Sequence, residues 1–503
     1  MVRINDQTAK PLRNFWSNIH FHPTDAIEDD WGRYTLDNVA KDHAAITVRM
    51  YSMFEDIVKK DENGRLVYDF TENDVRIDYM VSRGFNLLIS YNFIPPCISK
   101  SDALTNTEVR VGSRYKGKFL ATEPPEDWSL WEEICYDYTK HLVDRYGLEL
   151  VSTWYLQCFN EPDVSGFFMK SLGKREDARE VRLSEYIKMY EAFERATRRV
   201  SEKLKIGGPT ASNVRFFEPF IAYASEKKLK LDFACAHSYG TNPEAINAGR
   251  RQIGVQNNIN TINGYITKLR QYYKDIEMVV DEWGASGAGF CNLEDCPKLI
   301  FRENEVFSAF FAKLICECVK QEVDISKLMI CLSGSHQPHQ MENHFPEFNG
   351  FRSFFTEHFI KKPIYNAYVL AAKLKEKLFE CDSCVENLSV LATGGEKGVS
   401  VLLAYASADF SEDLPEVNDS LKLNLDGKYK VTKWLIDKNT TNPYRVWERE
   451  KLPAFPSENE LGMLREAGEM KPIAEYEVEA AGKTGIDFAL TANGIMLVEL
   501  EKI

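Results

Sequence analysis

Long apolar runs are missing from this chain: no stretch approaches the roughly 20 consecutive apolar residues of a membrane span, so nothing in it is expected to cross a bilayer. Positive charge is also scarce. The 62 Lys and Arg are outnumbered by 76 Asp and Glu, a formal net charge of −14 with no basic stripe, which disfavours nucleic acid and anionic lipid as partners. The opening MVRINDQTAKPLRNFW lacks a basic segment followed by an apolar core and a small-residue cleavage site, so secretion is not inferred. Cysteine offers no disulfide framework: the eleven are odd in number and scattered through apolar segments such as FACAHSY and KLICECVK, as buried thiols are in a reducing compartment. A cytoplasmic protein without structural disulfides is the expectation. Cys381 and Cys384 have the spacing of a redox or zinc half-site, but no second pair or nearby histidine completes it.

What is present is an ordinary soluble-enzyme composition, 44% apolar and 12% aromatic, in 503 residues, a length that suits one large domain plus a smaller one. From about Phe15 to Leu374 short apolar runs alternate with stretches of helical period, the pattern of parallel strands and covering helices. Eight runs read as strands: 15–21, 45–51, 85–91, 152–159, 204–209, 231–237, 277–283 and 327–333. Between them Trp131, Ile134, Tyr138, Leu142 and Val143 share one helical face that ends at Gly147, as do Tyr186, Ile187, Tyr190, Phe193 and Val200 on a second. The fold class is therefore α/β, a (β/α)8 barrel over 14–375. After Cys384 the pattern becomes alternating strands without helices, and 385–503 reads as a β-sandwich, with Asn493-Gly494 as a two-residue hairpin signal. Residues 1–13 are expected to add a strand to it.

In such a barrel the residues that close the strands face the active site. Glu161, in WYLQCFNEPD, closes the fourth strand and Glu282, in MVVDEWGASG, the seventh. Glycoside hydrolysis with retention needs one protonated carboxyl for the leaving oxygen and one ionised carboxylate for attack, so Glu161 is read as acid/base and Glu282 as nucleophile. Asn160 offers an amide to a sugar hydroxyl, and Pro162 restricts the turn. Because neighbours in a pleated strand face opposite ways, only one of Asp281 and Glu282 is expected to face the barrel mouth, and Glu282 is chosen. His237 and Tyr239 end the sixth strand and Arg49 and Tyr51 the second, while Trp283 and Phe167 offer aromatic faces to a sugar ring. A competing cluster, His336, His339, Glu342 and His344, follows the eighth strand; its spacing is not helical and it contains Pro338, so it reads as a polar rim loop and not a zinc site. No metal or cofactor is expected.

At these residues the sequence resembles glycoside hydrolase family 39 of the retaining clan A, its β-xylosidases in particular and its α-L-iduronidases to a lesser degree. The likeness extends to KIGGPTAS (205–212), LDFACAHSYGT (231–241), EFNGFRSF (347–354), KKPIYNAY (361–368), WLIDKNTTNP (434–443) and LPAFPSENELGMLREA (452–467). It implies retention, the two glutamate roles above, sugar contacts from Asn160, His237 and Phe167, and a homotetramer by analogy. Two departures bear on specificity. Where family xylosidases carry a histidine after the second-strand arginine and a tryptophan on the eighth strand, this sequence has Arg49-Met50-Tyr51 and Cys331-Leu332. Where iduronidases carry a uronate-binding lysine after the sixth-strand histidine, Ser238-Tyr239 follows His237, so a neutral sugar is favoured. The expected function is exo-acting hydrolysis of a terminal β-xyloside in a short oligosaccharide or glycoside. The alternatives are iduronidase, β-glucosidase, β-galactosidase or arabinosidase activity and, in another class, a non-catalytic carbohydrate-binding protein.

Overall fold

The computed structural model describes residues 2–21, 30–101, 121–287, 291–332 and 346–503. The His336, His339, Glu342 and His344 cluster lies outside the described residues. All eight anticipated strands form, as Asn18–His20, Thr47–Tyr51, Asn86–Tyr91, Tyr155–Cys158, Lys205–Ala211, Phe233–Tyr239, Glu277–Gly284 and Lys327–Cys331. They pair in chain order as a closed parallel barrel, the eighth meeting the first where Met329 faces Asn18. The runs are apolar on both faces because one face fills the barrel and the other packs under helices. Leu88, Tyr155, Phe233, Cys235, Val279 and Met329 form the filling. The helix Trp128–Tyr146 buries Trp131, Ile134, Tyr138 and Leu142 and ends at Gly147, whose φ of 82° only a glycine adopts at little cost.

The seventh strand departs from regular pleating. Val280 pairs with Ala236 and Glu282 with His237, so Asp281 is an extra residue, and the same slip recurs against the eighth strand. This bulge overturns the expectation that only one of two adjacent acids faces inward: with Asp281 inserted, both Asp281 and Glu282 turn to the barrel interior while Trp283 turns out. Trp283 is fully buried, its indole nearly parallel to Phe310 and Phe311 at 6.2 and 6.1 Å, in the layer between the barrel and the helix Glu305–Lys320. The expected sugar-facing role for Trp283 is thereby corrected, since its ring lies behind the barrel wall.

In the region expected to be a β-sandwich the strands belong to one seven-stranded sheet curled round a second apolar core. The strand Val2–Pro11 runs antiparallel to Lys377–Ser383 and, at Val2 and Arg3, parallel to Leu421 and Lys422 of the 20-residue strand Val417–Ile436. The hairpin expected at Asn493-Gly494 is not made. Asn493 does turn the chain, with a left-handed φ of 58°, but the strands it joins, Pro472–Leu490 and Gly494–Lys502, lie on opposite sides of Val417–Ile436. Burial explains this: Gly494–Glu499 and Leu500 are buried on both faces and claim a central slot, whereas Pro472–Leu490 alternates with exposed residues and suits the edge. The helix Glu305–Lys320, apolar nearly all round, fills the seam between barrel and sheet; Lys313 Nζ reaches Ser407 O at 3.2 Å and Ser389 donates to Glu317 at 2.8 Å. Among the described residues no helix is long and apolar enough to cross a membrane.

Candidate active site

Two stretches of unusual backbone bring the glutamates together. Phe159 and Glu161 both have left-handed φ, 66° and 46°, after the fourth strand, conformations that cost a non-glycine residue about 1 kcal/mol or more and are retained where the surroundings enforce them. The enforcement is visible. Glu161 N donates to Thr210 O at 3.1 Å, and Asp163 accepts from the amides of Ser212 and Asn213 and from the Ser212 hydroxyl, tying this loop to the start of the helix Val214–Lys227. From the other side the bulge lifts Glu282 to the same level. One carboxylate oxygen of Glu161, one of Glu282 and a ring nitrogen of His237 all lie within 4.8 Å of one another.

The two carboxyls sit in opposite surroundings. Glu282 is nearly buried, and burial alone would raise its pKa, but the positive charge of His237, the nearby His20 ring, the Arg49 guanidinium and the Tyr239 hydroxyl hold it well below the ordinary value. Arg49 Nη1 and the Tyr51 hydroxyl donate to its Oε1 at 2.8 and 3.3 Å, and the Tyr239 hydroxyl donates to Oε2 at 2.7 Å. Glu161 is pushed above its ordinary value by burial, against a lowering contribution from His237, with Glu282 adding to the rise. One acid is thus kept ionised and the other favours its proton. Burial disfavours charge on His237, yet Glu282, Asp281 and Glu161 outweigh it and raise the imidazole well above its usual range.

The expected site residues divide into those that face the cavity and those that hold it. His237, Tyr239, Tyr51 and Asn160 meet the glutamates directly or through one partner. Phe167 is partly exposed and stacks on Phe93, 5.5 Å away, whose edge meets Tyr51. Arg49 was expected to touch substrate, and that is corrected: its guanidinium is fully buried and spent on protein partners, Glu282, the Asn160 side-chain Oδ1 at 2.7 Å, Gln157 at 3.0 Å, His20 Nδ1 at 3.0 Å and Asp281 at 3.2 Å. It orders the site from below. Five neighbours were not assigned to the site from the sequence. His20 and Cys331 close the first and eighth strands, so the rule that found the glutamates also points to them; Gln157 is the polar residue in an otherwise apolar run; Asp281 was discarded on alternation; Arg352, in a loop after the eighth strand, carried no local signal.

Among the described residues two sets of side chains have the spacing of metal ligands, Glu161-His237-Glu282 and His20-Glu282-Cys331. Neither suits an ion. His237 carries a proton between carboxylates, and because Arg49 only donates, His20 Nδ1 must accept, which places the His20 proton on Nε2, the atom that approaches Glu282.

Comparison with known proteins gives one consistent result. The family model described as "Glycosyl hydrolases family 39" matches residues 1–485. A beta-xylosidase of Caldicellulosiruptor saccharolyticus is 21% identical over 478 residues, 92% of this chain and 89% of its own. The alpha-L-iduronidase of Homo sapiens is 22% identical over 557 aligned residues, 97% of this chain and 76% of its own. Among solved structures a monomeric beta-xylosidase from Caulobacter crescentus CB15 superposes with a TM-score of 0.82 at 19% identity, over 100% of this chain and 99% of the other.

Proposed function

The chain belongs to glycosyl hydrolases family 39, and from that premise we propose that it is a retaining exo-glycosidase that removes a terminal neutral sugar, a β-xyloside foremost. The observation that carries the reading is the facing pair itself. Retaining enzymes hold their carboxyls about 5–5.5 Å apart and inverting ones about 6.5–9.5 Å; oxygens of Glu161 and Glu282 within 4.8 Å of each other suit the closer, direct-attack arrangement. Glu282, held ionised by Arg49, Tyr51 and Tyr239, attacks the anomeric carbon while Glu161 delivers its proton to the departing oxygen. Water then enters, gives a proton to Glu161 and displaces Glu282, so that two inversions restore the starting configuration. Asn160, His237, Tyr239, Tyr51 and Phe167 are assigned to the sugar.

One observation favours a second reading, an anionic glycone of the iduronide type. The nearly buried guanidinium of Arg352 lies 5.1 Å from the centre of the Tyr239 ring, so a cation stands beside the side chain that grips Glu282. A panel of aryl glycosides compared by kcat/KM decides between them: highest on the β-xyloside supports the neutral pocket, highest on the α-L-iduronide the anionic one. Glu282→Ala is expected to lose turnover by at least about 10,000-fold and to recover it with azide, giving a glycosyl azide of inverted configuration. An azide of retained configuration would exchange the roles of the two glutamates, and an inverted sugar from the unmodified enzyme, read by proton NMR, would remove the covalent step. A homo-oligomer and a cytoplasmic location complete the proposal; light scattering that gives one chain's mass would discard the oligomer.

A further inference from the structure

Asp281 takes no part in the two-carboxylate chemistry, yet it is completely enclosed where that chemistry happens. Its Oδ2 accepts from Gln157 Nε2 at 2.9 Å, pairs with the Arg49 guanidinium, whose Nε is 3.2 Å away, and lies 3.4 Å from His237 Nε2, longer than a well-formed hydrogen bond but close enough for strong attraction between charges. The other ring nitrogen, His237 Nδ1, is 2.7 Å from Glu161 Oε1 and 3.5 Å from Glu282 Oε2. The imidazole therefore spans three acids, with Asp163 further off in the acid loop and Arg49 holding Asp281 and Glu282 from the second strand.

A 2.7 Å contact between an imidazole nitrogen and a carboxyl oxygen needs one proton between them, and its owner matters. If Nδ1 were bare, the carboxyl proton of Glu161 would sit on Oε1 and point at the ring, away from any substrate. If Nδ1 carries the proton, it donates to Oε1 and leaves the carboxyl proton for Oε2. Resting on the two-glutamate reading above, we infer that Asp281 is a positioning residue: it keeps both ring nitrogens of His237 protonated, so that Glu161 presents its proton on Oε2 to the glycosidic oxygen. As the bond from the anomeric carbon to that oxygen breaks and the bond to Glu282 forms, the Oε2 proton leaves with the aglycone. The new carboxylate keeps its bond from Nδ1–H. In the second half Glu161 takes a proton from the attacking water and the electron pair returns to Glu282. His237 holds both its protons throughout, with Asp281 as its counter-charge.

Asp281→Asn, compared with the unmodified chain on β-xylosides, tests this. On methyl β-xyloside, which needs acid assistance, kcat/KM is expected to fall at least about ten-fold more than on the 2,4-dinitrophenyl β-xyloside, which does not. The alkaline limb of the pH profile is expected to move up by about half a unit or more, because losing the imidazolium removes a charge that lowers the Glu161 pKa. Equal losses on both substrates with an unmoved limb would overturn the proposal and assign Asp281 to Arg49 and Glu282 instead. A measurement on the unmodified chain does not depend on the variant folding: in 15N-histidine spectra near pH 7 the His237 signal, assigned by its loss in His237→Gln, is expected to show both ring nitrogens protonated, and a neutral ring overturns the proposal. The underlying reading fails separately, if Glu161→Gln leaves hydrolysis of both substrates intact.

Discussion

At the scale of residues the site works by giving two like side chains unlike neighbours. Glu282 is surrounded by donors and positive charge, Glu161 by enclosure and a second acid, and the activity needs the first ionised and the second protonated. The pH profile follows with its signs fixed. As pH falls, kcat/KM is lost only on passing the lowered value of Glu282, below the ordinary 4.5; as pH rises, it is lost on passing the raised value of Glu161, above 4.5. A rate profile on methyl β-xyloside, whose leaving group needs acid assistance, reads both limbs, and Glu161→Gln is expected to abolish the upper one; an upper limb that survives in that variant belongs to another group. The two glutamates were legible because each is a carboxylate at the end of an apolar run, and the strand-end rule needs no knowledge of packing. Arg49 was legible as a site residue but not in its role, since nothing in the string Arg49-Met50-Tyr51 tells a side chain that reaches substrate from one that binds five protein groups.

At the scale of elements the parallel strands were legible because burial on both faces leaves them apolar throughout, and the covering helices because their period differs. The bulge in the seventh strand was not. A single inserted residue has no signature in composition, and the alternation rule, applied to an unbroken strand, gave the wrong facing for Asp281; for Trp283 the same rule points outward, as observed, and it was the aromatic character of the residue that suggested a sugar contact. The corrected placement makes a prediction that separates packing from binding. Trp283→Ala removes an indole enclosed by Phe307, Phe310 and Phe311 and is expected to cost about 3–5 kcal/mol of stability, read by denaturant or thermal unfolding. KM of the folded fraction is expected to stay within about two-fold, since removing a group that does not touch substrate leaves its binding alone; a large rise in KM with little loss of stability would return Trp283 to the sugar.

At the scale of the whole molecule two apolar cores meet along one helix. Glu305 opens that helix, is almost fully buried, and accepts from Asn442 Nδ2 at 2.8 Å and from Arg445 Nη2 at 2.6 Å, the first capping and the second within the short helix Pro443–Arg449. Arg445→Met leaves Glu305 enclosed with its countercharge gone and is expected to cost about 3–5 kcal/mol and to lower the melting temperature, without moving the pH limbs of the activity. Calorimetry checks it; an unchanged melting temperature would mean that the pair contributes nothing across the seam. That strands follow Cys384 was legible from alternation, but their order was not, because the Asn493-Gly494 signal is local whereas the choice of slot depends on which strand must be covered on both sides. The pairing of the first strand sets a further condition on how the chain is made. Ala9 meets Phe379, about 370 positions later, and Val2 meets Leu421. At the ribosome's pace of roughly 5–20 residues per second, the opening segment waits some 20 to 70 seconds for its partner to emerge. The barrel strands can all be synthesised in that interval, so the pairing that joins Val2–Pro11 to Lys377–Ser383 follows the barrel instead of seeding it.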